Sequence, residues 1–315
     1  MVISRKDAKK KKKFGIGDKM NYEIWHDEHK GYDDENEYWH GIFFVPNDKK
    51  NDIISLLKQI RKEHNISNDE INKFAGSLKK KKRGEIIRNL LDLFTHLLII
   101  NNKKAYTSIY NRTKKDEYLN IFNPFIKVSG VYNCKLILFY IPQNHNDFNK
   151  YPIDYASRVE RTFNMGFKGG AHLLFSNTEP INIVKFYFDG YKHHRRNINI
   201  YKITKGHFRD YCNIDFDCSI DDRQMKDRDN NSKIMMSFVD NILGAWVAKL
   251  RDKPDPNLVL FPLNDIYERL KNNKILKNIN GKWYKSISIS KMEIINGEIK
   301  FPKFFQNDKQ MNLFK

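Results

Sequence analysis

Two aromatic-rich runs near the start of the chain constrain its fold more than any other feature. Tyr22-Glu23-Ile24-Trp25-His26 and Tyr38-Trp39-His40-Gly41-Ile42-Phe43-Phe44-Val45 flank an acidic, glycine-containing stretch from Gly31 to Glu37, and Pro46 closes the second run. β-Branched and aromatic residues on either side of a polar turn predict a β-hairpin. The carboxylate pair Asp27-Glu28 stands at the end of the first strand on this reading. Helical and strand-like segments then alternate. Asp48 to His64 carries Ile53, Leu56, Leu57 and Ile60 at helical spacing, with Asp48 or Asn51 as the cap. Gly84 opens a helix from Glu85 to Ile100, whose stripe is Ile86, Ile87, Leu90, Leu91, Phe94, Leu97 and Leu98.

Further on, Ala105–Tyr110 reads as a strand, and Leu136–Ile141 as a strand or a short helical piece, since so few residues do not fix a period. Asn144–Tyr151 reads as a loop, Ile153–Gly166 as a helix and Ile181–Phe188 as a strand ending at Asp189-Gly190. A short strand at Ile214–Phe216, an acidic loop from Asp217 to Asp229 and a helix from Lys233 to Leu250 follow. Beyond Pro254 the pattern is less regular, with a hairpin turn at Asn280-Gly281 and a strand-like run from Ser286 to Ile295. Hairpin, helices, strand, helix, strand, helix is the order of an α/β domain whose helices cover a mixed central sheet.

Charge narrows the partners. The 315 residues carry a formal net charge of +19. Heavy use of Lys, Asn and Ile discounts part of this as genome composition, yet such a field still draws polyanions. Residues 1–19 read as a basic arm around the lysine run Lys9–Lys13, either an electrostatic tether to nucleic acid or a solvated tail. Cys134, Cys212 and Cys218 are odd in number and lack CxxC spacing, which argues against a disulfide framework and for a reducing, cytoplasmic setting. No segment reaches membrane-spanning length, and no apolar stretch follows the N-terminal lysines as a secretory signal requires.

Three acids sit on elements that read as core: Asp27, Asp189 and Asp240. A strand-end aspartate is held by the strand and reachable from outside it. Asp240 lies on the flank of the helical stripe Met235, Phe238, Val239, Ile242 and Trp246, near Met236, Leu243 and Val247, where a carboxylate needs a cation. Each acid alone has an ordinary explanation: a turn at Asp189-Gly190, a basic partner for Asp240, the opening of a polar turn at Asp27-Glu28. Together they describe carboxylates converging on a divalent ion, the arrangement phosphodiester hydrolysis uses. His26, His29, His40, His193 and His194 offer zinc or manganese ligands, but without helical i, i+4 spacing they read first as surface or supporting residues. His193-His194-Arg195-Arg196 is suited to phosphates or to a solvated turn. There is no P-loop and no GxSxG elbow.

These motifs carry a resemblance. Trp25-His26-Asp27-Glu28-His29 is similar to a strand ending in Asp-Glu-Ser, with His29 in place of Ser. Phe186-Tyr187-Phe188-Asp189 is similar to a later strand ending in Asp. Asp215-Phe216-Asp217-Cys218, then Met235 to Gly244 with Asp240 and Gly244 in an Asp-x-x-x-Gly spacing, is similar to a terminal strand and helix. In this order they resemble the bacterial family labelled "domain of unknown function 3800", a branch of the RNase H-like superfamily, over Asn21 to Leu250. The resemblance implies an RNase H-like α/β domain at 20–251 with a C-terminal extension at 252–315. It implies a metal site of Asp27, Asp189 and Asp240, with Asp217 as an addition and Glu28 or Glu70 as the glutamate; Glu70 with Lys73 is similar to a Glu/Lys-containing segment of the family.

The expectation is a Mg²⁺- or Mn²⁺-dependent nuclease that cuts DNA or RNA by a two-metal mechanism. Water would attack in line and leave a 3′-hydroxyl. Lys73, the run Lys80-Lys81-Lys82-Arg83, His193, Arg195 and Arg196 would position the phosphate backbone. The resemblance also implies a mobile-element or phage-defence setting beside a protein partner. The alternative is a non-catalytic nucleic-acid-binding subunit of a larger complex.

Overall fold

Long strands pair where the aromatic runs lie. β1 (Met20–Lys30) and β2 (Glu37–Pro46) are antiparallel, from Tyr22 opposite Pro46 to Lys30 opposite Tyr38. The hairpin is as expected, but β1 runs on past His26, so Asp27 and Glu28 lie inside the strand, held opposite Gly41 and His40. The computed structural model describes residues 19–30, 37–67, 74, 78–98, 132–142, 154–176, 180–188, 199–204, 208–272, 277–279, 282–284 and 286–305. The expected arm at 1–19 apart from Lys19, the strand Ala105–Tyr110, the loop Asn144–Tyr151 and the turn residues Asn280-Gly281 fall outside them.

β3 (Lys135–Pro142) pairs antiparallel with β2, which settles Leu136–Ile141 as strand. β4 (Ile181–Phe188) runs parallel to β1, and β5 (Ile214–Asp221) parallel to β4. With β8 (Ile287–Lys291) the sheet reads β5-β4-β1-β2-β3-β8, and β8 is parallel to β3. This is the α/β architecture the sequence predicts, a mixed central sheet flanked by helices, and it is consistent with an RNase H-like fold. The two-residue period of the strands sorts their side chains between two cores. Trp25, Trp39, Phe43, Leu138 and Tyr187 pack with α1 (Lys50–Glu63), α2 (Lys81–Leu98) and, beyond β5, α6 (Asn230–Leu250). Tyr22, Ile24, Ile42, Phe44, Phe139 and Phe186 face α3 (Tyr155–Phe175) and the short α4 (Ile200–Thr204) and α5 (Phe208–Cys212).

Several boundaries shift for local reasons. α1 follows a 3₁₀ turn at Asn47–Lys49, and its N-cap is Lys49 with no side-chain cap, so neither Asp48 nor Asn51 caps it. α2 begins at Lys81, which places Gly84 within the helix rather than before it. α3 is capped by Asp154 and continues through Gly166 and Gly170. A Cβ on Gly166 would lie 2.6 Å from Phe139 Cδ2, and one on Gly170 2.4 Å from Ile137 Cγ2. The missing side chains let the helix settle directly on β3, and that packing offsets glycine's low helix propensity. β5 extends into the expected acidic loop as far as Asp221.

The chain beyond Asp252 joins the same cores. Val259, Leu260, Leu263, Ile287 and Ile289 enter one, Met292 and Ile299 the other, and Ser286 Oγ donates to Leu98 O at 2.9 Å. α7 (Asn264–Lys271) and two small antiparallel pairs complete it: β6 (Lys277–Ile279) with β7 (Lys282–Tyr284), and β9 (Glu293–Ile295) with β10 (Glu298–Lys300). The second hairpin turns on Asn296 and Gly297, both at positive φ (54° and 75°), a conformation that Asn-Gly adopts readily.

Candidate functional site

Strand alternation assigns the acids to faces. Trp25 points to the α6 face of the sheet, so Asp27, two residues on, points there too. Its partner across the ladder is Gly41. A Cβ on Gly41 would come within 3.3 Å of Leu243 Cδ1, so α6 lies close over the sheet beside Asp27. One turn before Leu243 stands Asp240. From Ile234 to Ala248 every side chain of α6 is buried except this carboxylate, which is partly open. The Glu28 N–H donates to Asp27 Oδ1 at 2.8 Å, and the Phe74 N–H to Asp240 Oδ2 at 3.4 Å. Phe74 itself fills the place of a side chain at Gly244, where a Cβ would meet its own Cβ at 2.7 Å. Asp27 and Asp240 therefore share one face of the sheet, each oriented by a backbone donor.

The other expected residues separate from this pair or lie elsewhere. Glu28 points to the opposite face, where its ladder partner is the buried His40. Asp217 is exposed in the middle of β5, at the register shift between the pairs Ile183–Phe216 and Lys185–Ser219, and β4 stands between it and β1. The strand spacing alone puts it roughly 10 Å to the side of β1, and it lies well short of the row of Asp27. Asp189, directly after Phe188, lies outside the described residues, as do Glu70, Lys73, His193, His194, Arg195 and Arg196. Lys80, Lys81 and Lys82 are exposed at the start of α2, and Arg83 is half-buried.

His26 and His40 are core residues, not surface ones. Their Nε2 and Nδ1 are 3.1 Å apart, one donating to the other. His26 lies flat on Phe188 (4.5 Å, 7°), His40 lies on Phe139 (4.9 Å), and both meet the edge of Phe163 at 5.2 Å. Because His26 and His29 point to opposite faces of β1, they do not share an ion. Among the described residues no group of three or more His, Cys, Asp or Glu is arranged to hold a metal. Asp27 and Asp240 are hard carboxylate donors that suit Mg²⁺ or Mn²⁺, and His29, two residues on from Asp27 in β1, points to the same face.

At the ends of β4 and β5 lies an ion network that no sequence motif marks, with Asp221 and Arg228 buried and Arg223 half exposed. Asp221, the last residue of β5, accepts from Arg223 Nε (3.0 Å) and Nη2 (2.7 Å). The Arg228 guanidinium is fully buried; its Nη2 donates to Phe188 O (3.1 Å) and Asp221 O (3.3 Å), and its Nη1 lies 3.3 Å from Asp221 Oδ1. The Arg223 hydrogen bonds, with help from Arg228, hold the Asp221 carboxyl down at about 2. Arg228 thereby ties the carbonyl just before Asp189 to the end of the neighbouring strand. In sequence these residues sit in an acidic stretch with two arginines, a weak signal because ion partners are chosen by the fold.

No family model matches the chain, and no curated protein or solved structure matches it either.

Proposed function

We propose that the chain is a divalent-metal-dependent nuclease acting on DNA or RNA. The observation that carries this reading is Asp240: on a helix otherwise buried over fifteen consecutive positions from Ile234 to Ala248, the one side chain left partly open is a carboxylate, on the same sheet face as Asp27. A carboxylate in such a place costs several kcal/mol unless a cation or hydrogen bonds compensate it. Asp27 and Asp240 would hold Mg²⁺ or Mn²⁺, with Asp189, next along from β4, as the third ligand. Such an ion, when bound, supplies an activated water and charge compensation at the leaving oxygen.

The chain's own contribution is positioning. The Glu28 and Phe74 N–H groups donate to the carboxylates of Asp27 and Asp240 and orient them. The absence of a side chain at Gly41 lets α6 bring Asp240 down toward the strand. Exposed Lys80, Lys81 and Lys82, within a net charge of +19, favour a polyanionic substrate without reading its sequence.

A cleavage assay on single- and double-stranded DNA, RNA and hybrid, with Mg²⁺ or Mn²⁺, tests the reading. Cleavage that disappears in Asp27→Ala and Asp240→Ala supports it, and full activity in both variants overturns the site. Binding without cleavage of any substrate favours a non-catalytic nucleic-acid-binding subunit instead.

A further inference from the structure

We infer that the molecule carries a second nucleic-acid contact, a base-stacking platform for single strands centred on Tyr211, on the sheet face away from Asp27 and Asp240. α5 is pinned at both ends. Phe208 is buried against Phe167 and Phe216, with ring centroids 5.0 and 4.9 Å away, and the buried Cys212 thiol reaches Lys168 O at 3.4 Å. Between these anchors the Tyr211 ring stays 48% exposed, one of the few large hydrophobic side chains open to solvent.

The ring is also held flat. His172 stacks on it at 4.2 Å and 21°, and its Nδ1–H donates to Tyr211 O at 2.7 Å. Lys168 Nζ lies 5.2 Å from the ring centroid. Arg209, two residues before Tyr211 in α5, meets Lys19 on Asp215, at 2.7 and 2.8 Å. An exposed ring contacted by Lys168 and His172 suits a ligand that combines flat π faces with repeating negative charge. Single-stranded nucleic acid has both, whereas a duplex hides its base faces and an acidic peptide has no stacking surface.

The platform is distinct from the proposed cleavage site. Phe163 of α3 packs beneath His26 and Phe188, while Phe175 packs beneath Tyr22 and Phe44. His172 therefore lies toward the beginning of β1, and Asp27 toward its end. The inference depends on nucleic acid being the ligand and not on its being cut.

The test is titration of the full chain carrying Asp27→Ala, in EDTA, with labelled oligo(dT), oligo(rU), a DNA duplex and poly-glutamate. Without divalent ions or turnover, a failure of the nuclease reading leaves this measurement unaffected. Tyr211→Ala and Tyr211→Leu are expected to weaken single-strand binding about 5- to 100-fold with an unchanged salt slope, while Tyr211→Phe and Tyr211→Trp retain it. Duplex binding is expected to change less than about twofold, since a duplex does not stack on the ring. Any of three results overturns the inference: unchanged single-strand binding in both Tyr211→Ala and Tyr211→Leu, equal loss for duplex and single strand, or poly-glutamate binding as tight as oligo(dT). Tyr211→Leu keeps apolar bulk on α5, so it separates loss of stacking from loss of folding.

Discussion

The Trp25 indole lies flat on the Tyr187 ring, 3.6 Å between centroids and 7° between planes. The two residues are direct neighbours in the parallel β1–β4 ladder, and the Arg228 guanidinium is 5.8 Å from the same Tyr187 ring. The stack joins the neighbouring strands β1 and β4 two residues before Asp27. Replacing Tyr187 with Ala should cost about 3–5 kcal/mol from lost burial and cavity formation. Tyr187→Phe keeps the ring and should cost well under half of that. Denaturant midpoints of the two variants check this.

Metal binding at the Asp27 face should appear as stability. With Mn²⁺ at about 100 times its dissociation constant, linkage predicts a gain of about 2.7 kcal/mol. The gain should be absent in Asp27→Asn and Asp240→Asn and kept in Asp217→Asn, since Asp217 is exposed on the edge strand β5. Thermal melts with Mn²⁺ and with EDTA measure it.

Asp221 should set part of the acid sensitivity. Its carboxyl is lowered from 3.8 to about 2 by the Arg223 hydrogen bonds and by Arg228. A lowered carboxyl pKa means that the stabilisation is fully present above about 4 and is lost as the pH falls toward 2. At neutral pH, Asp221→Asn leaves the buried Arg228 without its carboxylate and should destabilise by about 3 kcal/mol. The gap between wild type and variant should narrow from pH 5 to pH 2, as read from urea midpoints across that range.

The α3–sheet contact offers three neighbouring tests. Gly166→Ala and Gly170→Ala would drive a methyl group into Phe139 and Ile137 and should each cost about 1–3 kcal/mol. Gly169 is exposed, with nothing within 4 Å of its Cβ position, so Gly169→Ala should instead stabilise by about 0.5–1 kcal/mol. Opposite signs within one helix turn, measured by thermal melts, would establish that contact with β3, and not helix propensity, governs Gly166 and Gly170.

Much of the architecture was legible in the residues because it rests on local periodicity. Aromatic and β-branched runs predict the β1–β2 hairpin and β4, and the apolar stripes predict α1, α2 and α6. Ends were less legible. β1 outlasts its apolar run because β2 still offers backbone partners at Gly41, His40, Trp39 and Tyr38. α3 outlasts Gly166 because β3 packs against the bare backbone.

The sequence by itself determined that Asp27 and Glu28 point to opposite faces once the strand includes them, and that Asp240 flanks an apolar helical stripe. Only the tertiary structure decided that Asp27 and Asp240 share a face, that His26 and His40 are buried against each other, and that Arg228 reaches both Phe188 and Asp221. Periodicity is a property of neighbouring residues and survives in the bare sequence. The pairing of β1 with β4, the descent of α6 onto Gly41 and the burial of a guanidinium join residues far apart in the chain, and the packing of the whole sheet selects them.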